Sequence, residues 1–159
     1  MNVPNKTKGF TIIEVVLVLA IAGLIFLVVF LALPALQRGQ RDTQRKQDLG
    51  KVMSQVTAYQ SNSQGSLPTD WDGTFKSGYL TVNSAAFADP SNGSTYTIAS
   101  RNSTTGANVP TLIPAGSIWV YQGVTCANVS AGTGTISASS RTFAAIIYQE
   151  QGNYTCQNN

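Results

Sequence analysis

The chain has no histidine among its 159 residues. That excludes imidazole acid–base catalysis and every metal site built on histidine. Only two cysteines occur, Cys126 and Cys156. A structural zinc site needs more ligands than two isolated thiolates, and a redox pair is ordinarily close in sequence. Beyond residue 51 charge is scarce as well: Lys76, Arg101 and Arg141 stand against Asp70, Asp72, Asp89 and Glu150. There is no GxxxxGK nucleotide loop, no Gly-x-Ser-x-Gly elbow and no internal repeat, so the usual phosphate cradle and hydrolase turn have no basis here. No catalytic residue, metal or cofactor is expected.

Against these absences stands one long apolar run. Val15 to Leu36 carries no charge, and only Gly23 and Pro34 punctuate its Val, Leu, Ile, Ala and Phe. As a helix it measures roughly 30 Å, the hydrocarbon thickness of a bilayer. Glu14 opens the run, and a lone carboxylate at that place needs a reason. The run is too long for a removable secretory peptide and ends in no clear Ala-x-Ala site. A cut before it, between Gly9 and Phe10, supplies the reason. The new α-amino group at Phe10 lies one helical turn before Glu14, so amine and carboxylate neutralise each other within one chain or between neighbours.

Lys8-Gly9-Phe10-Thr11-Ile12-Ile13-Glu14 closely resembles the class III signal of the type IV pilins. The resemblance covers about residues 6–60 and is specific at 8–14; beyond residue 60 only the composition is compatible. It implies cleavage by a prepilin peptidase after Gly9, N-methylation of Phe10, and a role for Glu14 in filament assembly. It further implies a leader at 1–9, a membrane or filament-core helix at 10–36, an amphipathic helix half at 37–60 and a globular head at 61–159. Gly23 weakens the helix and Pro34 removes a donor to the Phe30 carbonyl. The resemblance implies that the segment between them extends when the subunit leaves the membrane, with a mild tolerated kink as the plainer alternative.

The charges pose a conflict over orientation. Lys6 and Lys8 lie in the leader, while Arg38, Arg41, Arg45, Lys46 and Lys51 crowd the far side of the run against Asp42 and Asp48. A count of positive flanks would leave the larger domain in the cytosol. The cysteines oppose this, because two of them in so charge-poor a domain read as a disulfide in an oxidising compartment. The resemblance also implies a leader that faces a cytoplasmic peptidase. The exported orientation is therefore expected, with Cys126 and Cys156 bonded.

Leu49, Val52, Met53, Val56 and Tyr59 recur at helical spacing, so the helix is expected to continue to about residue 60, roughly 75 Å in all. Ser61 to Pro68 carry breaker chemistry. Residues 61–93 read as an irregular loop with scattered apolar groups. Strands are expected at Ser94–Ser100, Ser117–Val124 and Thr142–Glu150, with a short one near Tyr154. Turns are expected at Asn102–Ala107 and Ala131–Ser140. The fold class is α+β: a long amino-terminal helix packed on a small antiparallel sheet, the pilin fold.

Weaker signals remain. Asp70 and Asp72 are a marginal calcium pair, since alternate loop residues commonly face solvent. Asn92, Asn102, Asn128 and Asn153 open Asn-x-Ser/Thr sequons that this composition produces by chance. The basic cluster at 38–51 could touch DNA phosphates, but its interleaved aspartates favour a subunit interface. The expected function is the major subunit of a type IV pilus, polymerising on itself after passage from the cytoplasmic membrane through a pilus assembly platform. Adhesion, twitching motility and DNA uptake are family roles the residues do not separate. A type II secretion pseudopilin shares the signal, and a non-polymerising single-pass sensor or adhesin is the alternative of another class.

Overall fold

The computed structural model describes residues 9–81, 87–102, 113–126 and 138–159. The leader lysines Lys6 and Lys8, the Asn128 sequon and most of both expected glycine-rich turns lie outside them. The chain divides into two compact units, Met1–Gln37 and Arg38–Asn159.

Helix α1 runs from Ile12 to Asn62 and contains Pro34. Up to Leu36 its side chains are exposed almost without exception. From Asp42 onward burial follows helical periodicity, and Leu49, Val52 and Val56 are fully buried. The helix ends where the chain turns left-handed. Gln64 and Gly65 adopt φ 55° and 83°, and the Gly65 N–H donates to the Gln60 carbonyl at 2.8 Å. This closes the last turn in the manner that glycine permits at a helix end.

The sheet has the order β1-β2-β3-β4, with β1 at Thr97–Asn102, β2 at Ser117–Val124, β3 at Ala138–Tyr148 and β4 at Tyr154–Asn158. Four boundaries differ from expectation: β1 starts three residues later and ends two later, and β3 begins at Ala138 and stops before Glu150, which lies in the β3–β4 turn. The sheet is also mixed rather than purely antiparallel. β2–β3 and β3–β4 are antiparallel, but β1 and β2 run parallel in the register Thr97↔Ser117 to Asn102↔Gln122. The connection between Asn102 and Ser117 is long enough for the crossover that a parallel pair demands, which a hairpin turn is not.

Alternation gives the sheet two apolar faces. Ile98, Ile118, Val120, Phe143, Ala145 and Ile147 pack with Leu49, Val52 and Val56 of α1. Ile113, Tyr121, Ala144 and Ile146 form a second cluster with Trp119, Tyr148, Tyr154 and the two cysteines.

The loop expected over 61–93 contains a further element, a π-helix at Trp71–Leu80. Its hydrogen bonds skip five residues, from Phe75 N–H to the Asp70 carbonyl and from Thr81 N–H to the Lys76 carbonyl. Trp71, Phe75 and Leu80 are buried in the main core. Asp70 caps the start, accepting from the Gly73 and Thr74 N–H groups at 3.0 and 2.8 Å. These bonds, Thr74 first, hold its carboxyl below the usual range. A Cβ at Gly73 would collide with that carboxylate, so the cap requires glycine there.

Candidate functional site

The amino-terminal unit is built around the start of α1. Thr11 precedes the first helical turn, and Glu14 sits three residues later. The Glu14 carboxylate accepts from the Thr11 N–H and the Thr11 hydroxyl, both at 2.8 Å. In return the Glu14 N–H donates to the Thr11 hydroxyl oxygen at 3.4 Å. This reciprocal pair is a capping box: it satisfies donors that a helix start leaves unpaired and places a negative group at the positive end of the helix dipole. Glu14 therefore has two donors from its own chain, which reasoning from the apolar run alone overlooked. The signal was present as Thr-x-x-Glu.

Phe10 and Glu14 border one shallow apolar concavity with Val15, Val18 and Leu19. Phe10 is 91 % exposed, and every large hydrophobic side chain from Ile12 to Leu36 shows at least two-fifths of its surface. The helix is long and apolar enough to cross a membrane, and none of its most apolar stretch is buried by the chain itself. So large an unbroken apolar surface is far outside what soluble monomers carry and is compatible with membrane anchoring. Gly9 sits just outside the helix, with open space around its Cα. The helix passes through Gly23 and Pro34 unbroken, and a side chain at Gly23 would meet nothing.

The second unit uses most of the basic cluster internally. Arg45, only 2 % exposed, donates to Asp89 with Nε at 3.1 Å and Nη2 at 2.8 Å. It also reaches Asp42 at 3.1 Å and Glu150 at 3.2 Å. Arg41 grips Glu150 through Nε at 2.7 Å and Nη2 at 2.6 Å. Asp42 in turn accepts the Glu150 N–H at 2.9 Å. One buried guanidinium thus binds α1, the turn at residue 89 and the β3–β4 turn together. Burial pushes the Asp89 carboxyl up, but its bonds to Arg45 and Ser91 outweigh this and hold it below the usual range. The Arg41 bonds hold Glu150 low as well.

Within the basic cluster at 38–51, Arg41 and Arg45 are engaged by carboxylates of their own chain, and Lys51 lies over the Phe87 ring at 5.6 Å. Arg38 and Lys46 remain exposed. No local pattern announces partners that lie 44 and 105 residues away from Arg45.

Cys126 and Cys156 form a disulfide, joining the segment after β2 to the edge strand β4. Asp70 and Asp72, weighed as a calcium pair, are both occupied. Asp70 caps the π-helix, and Asp72 accepts from Lys76 Nζ at 2.7 Å and from the Ile98 N–H of edge strand β1 at 2.9 Å.

Residues 4–30 match the family model of the prokaryotic N-terminal methylation motif. The match encloses Gly9, Phe10, Glu14 and Gly23 and stops short of Pro34. No curated protein and no solved structure matches the chain.

Proposed function

We propose that this chain, which carries at residues 4–30 the class III signal shared by type IV pilins and pseudopilins, is the major structural subunit of a surface type IV pilus. The observation that carries the reading is the pairing of that signal with an apolar helix the molecule leaves unburied. Before assembly the helix from Phe10 to Leu36 anchors the chain in the cytoplasmic membrane, with the Arg38–Asn159 unit outside. A prepilin peptidase cuts after Gly9, and the Phe10 amine becomes the methylated terminus. In the filament the same apolar surface packs against other copies, so one element serves as anchor and then as core. The reading is non-enzymatic: the helices supply cohesion, and the disulfide-bonded sheet unit supplies the outer surface.

The amine and Glu14 complete the device. The Thr11 donors hold the Glu14 carboxylate at the helix start, where a positive terminus is close in sequence. A buried amine or carboxylate without a partner is costly, so copies that bring Phe10 amines to Glu14 carboxylates are favoured. Extension between Gly23 and Pro34 would let the helices adjust as they leave the membrane.

The experiment is electron microscopy of sheared surface material with intact-mass and amino-terminal peptide analysis of its main band. Filaments whose subunit starts at methylated Phe10 are expected. A mature chain that starts at Met1, or one cut after residue 30, would contradict the reading. Filaments confined to the periplasm would point to the pseudopilin instead.

A further inference from the structure

Two adjoining concavities lie at the carboxyl end of α1, within the Arg38–Asn159 unit, and share Gln60 and Gly65. They measure about 420 and 400 Å³, within the range of small-molecule sites. They flank the left-handed turn at Gln64 and Gly65, where the chain leaves the end of α1. The second hollow is lined by Gln60, Leu67, Trp71, Ser100 and Gln122 among others.

The chemistry of this lining is selective. Among the described residues, neither hollow has an ionisable side chain in its lining. A phosphate, carboxylate or ammonium group would therefore lose its hydration with no counter-charge in return. The polar groups are amides and hydroxyls, each able to donate and accept. The side-chain amides of Gln60 and Gln64 have no partner among the described residues. The Gln122 amide donates to the Ser100 hydroxyl at 3.3 Å, which fixes a donor–acceptor pair at the rim. Trp71 and Leu67 add apolar surface, and the buried indole N–H of Trp71 has no acceptor among the described residues.

We propose that this hollow binds a neutral carbohydrate unit. A hexose presents hydroxyls that donate and accept, together with apolar C–H faces, and carries no charge. A purely apolar ligand would strand the glutamine amides, and an ionic one would strand itself. The inference goes beyond the filament reading and does not depend on it, since the site lies within one copy.

The test is saturation-transfer NMR on the full chain in detergent micelles. The probes are methyl β-galactoside, methyl α-glucoside and methyl α-mannoside, with N-acetylneuraminic acid as the charged comparison. At least one neutral glycoside is expected to bind with Kd on the order of millimolar. The double variant Gln60→Ala/Gln122→Ala should weaken that binding by about tenfold or more while the thermal transition stays in place. Gln60→Glu, which leaves packing alone and introduces a charge, should do the same. The proposal is overturned if none of the three glycosides gives transfer at tens of millimolar, if both variants bind as the parent does, or if the sialic acid binds equally well.

Discussion

The two halves of α1 obey opposite rules. From Ile12 to Leu36 the helix satisfies its backbone internally, caps its own start with Thr11 and Glu14, and leaves its apolar side chains exposed. From Asp42 to Val56 it buries one stripe against the sheet and ties itself down with Arg45. The second half belongs to a finished domain, with a core, a disulfide and an internal ion cluster. The first half is finished in its hydrogen bonds and unfinished in its burial. Completeness of the backbone is what a helix needs in lipid, and incompleteness of packing is what drives it to find neighbours.

The largest test of that contrast removes the first half. A chain beginning at Arg38 is expected to be soluble without detergent, monomeric in size-exclusion chromatography, and to melt in one transition with Cys126 and Cys156 bonded. The full chain should need detergent or a filament. Aggregation of the shortened chain would show that the second unit is not self-sufficient.

Next in size is Arg45→Met. It leaves Asp42 and Asp89 buried without their cation, and loss of one partner of a buried ion pair costs about 3–5 kcal/mol. Denaturant unfolding of the shortened chain measures it, and a loss below 1 kcal/mol would mean the cluster is ornamental to stability. Replacing both cysteines by serine should cost somewhat less, about 2–4 kcal/mol for a bridge of this separation. The same unfolding curves report it, and an unchanged midpoint would contradict the role given to the bond.

The pH response is the smallest and the most specific effect. Asp89 and Glu150 titrate below their ordinary values when folded, so their contribution is full above the unfolded values of about 3.9 and 4.3 and is lost as pH falls through the lower folded ones. Asp48 works the other way: burial raises its carboxyl, so the folded state gains from its protonation at mild acidity. The melting temperature should therefore hold steady or rise slightly toward pH 5 and fall below about pH 4. In Arg45→Met the acid fall should shrink. An unchanged acid slope in that variant would separate Arg45 from the carboxylates it touches.

Legibility in the sequence followed the range of the interactions. The apolar run, the Gly9–Phe10 junction and the Leu49–Val56 stripe are local patterns, and the strand at Ser117–Val124 stands where alternation placed it. The disulfide was legible because two cysteines leave only one pairing. The parallel β1–β2 pair was hidden, since direction depends on the path between Asn102 and Ser117 rather than on either strand. The π-helix was hidden because Asp70, Gly73 and a five-residue hydrogen-bond step have no common periodic signature. The Arg45 cluster was hidden because its acceptors Asp89 and Glu150 are remote in sequence. The Glu14 cap was legible in principle, but the cost of a carboxylate beside an apolar run drew attention toward an external partner.

The central claim of the proposed function is that the apolar residues from Phe10 to Leu36 leave the membrane to pack on other copies in a filament, with Glu14 as the charge that registers one copy on the next. The direct measurement is the fraction of mature subunit recovered in sheared filaments from cells expressing the parent chain, Glu14→Gln or Glu14→Ala. Both variants should be membrane-inserted and cut after Gly9, verified by mass. Both should nevertheless show a filament fraction reduced several-fold, because the Phe10 amine of a neighbour loses its counter-charge while Thr11 keeps only a neutral or missing partner. If correctly processed Glu14→Gln and Glu14→Ala both assemble at the parental yield, the pairing account is wrong.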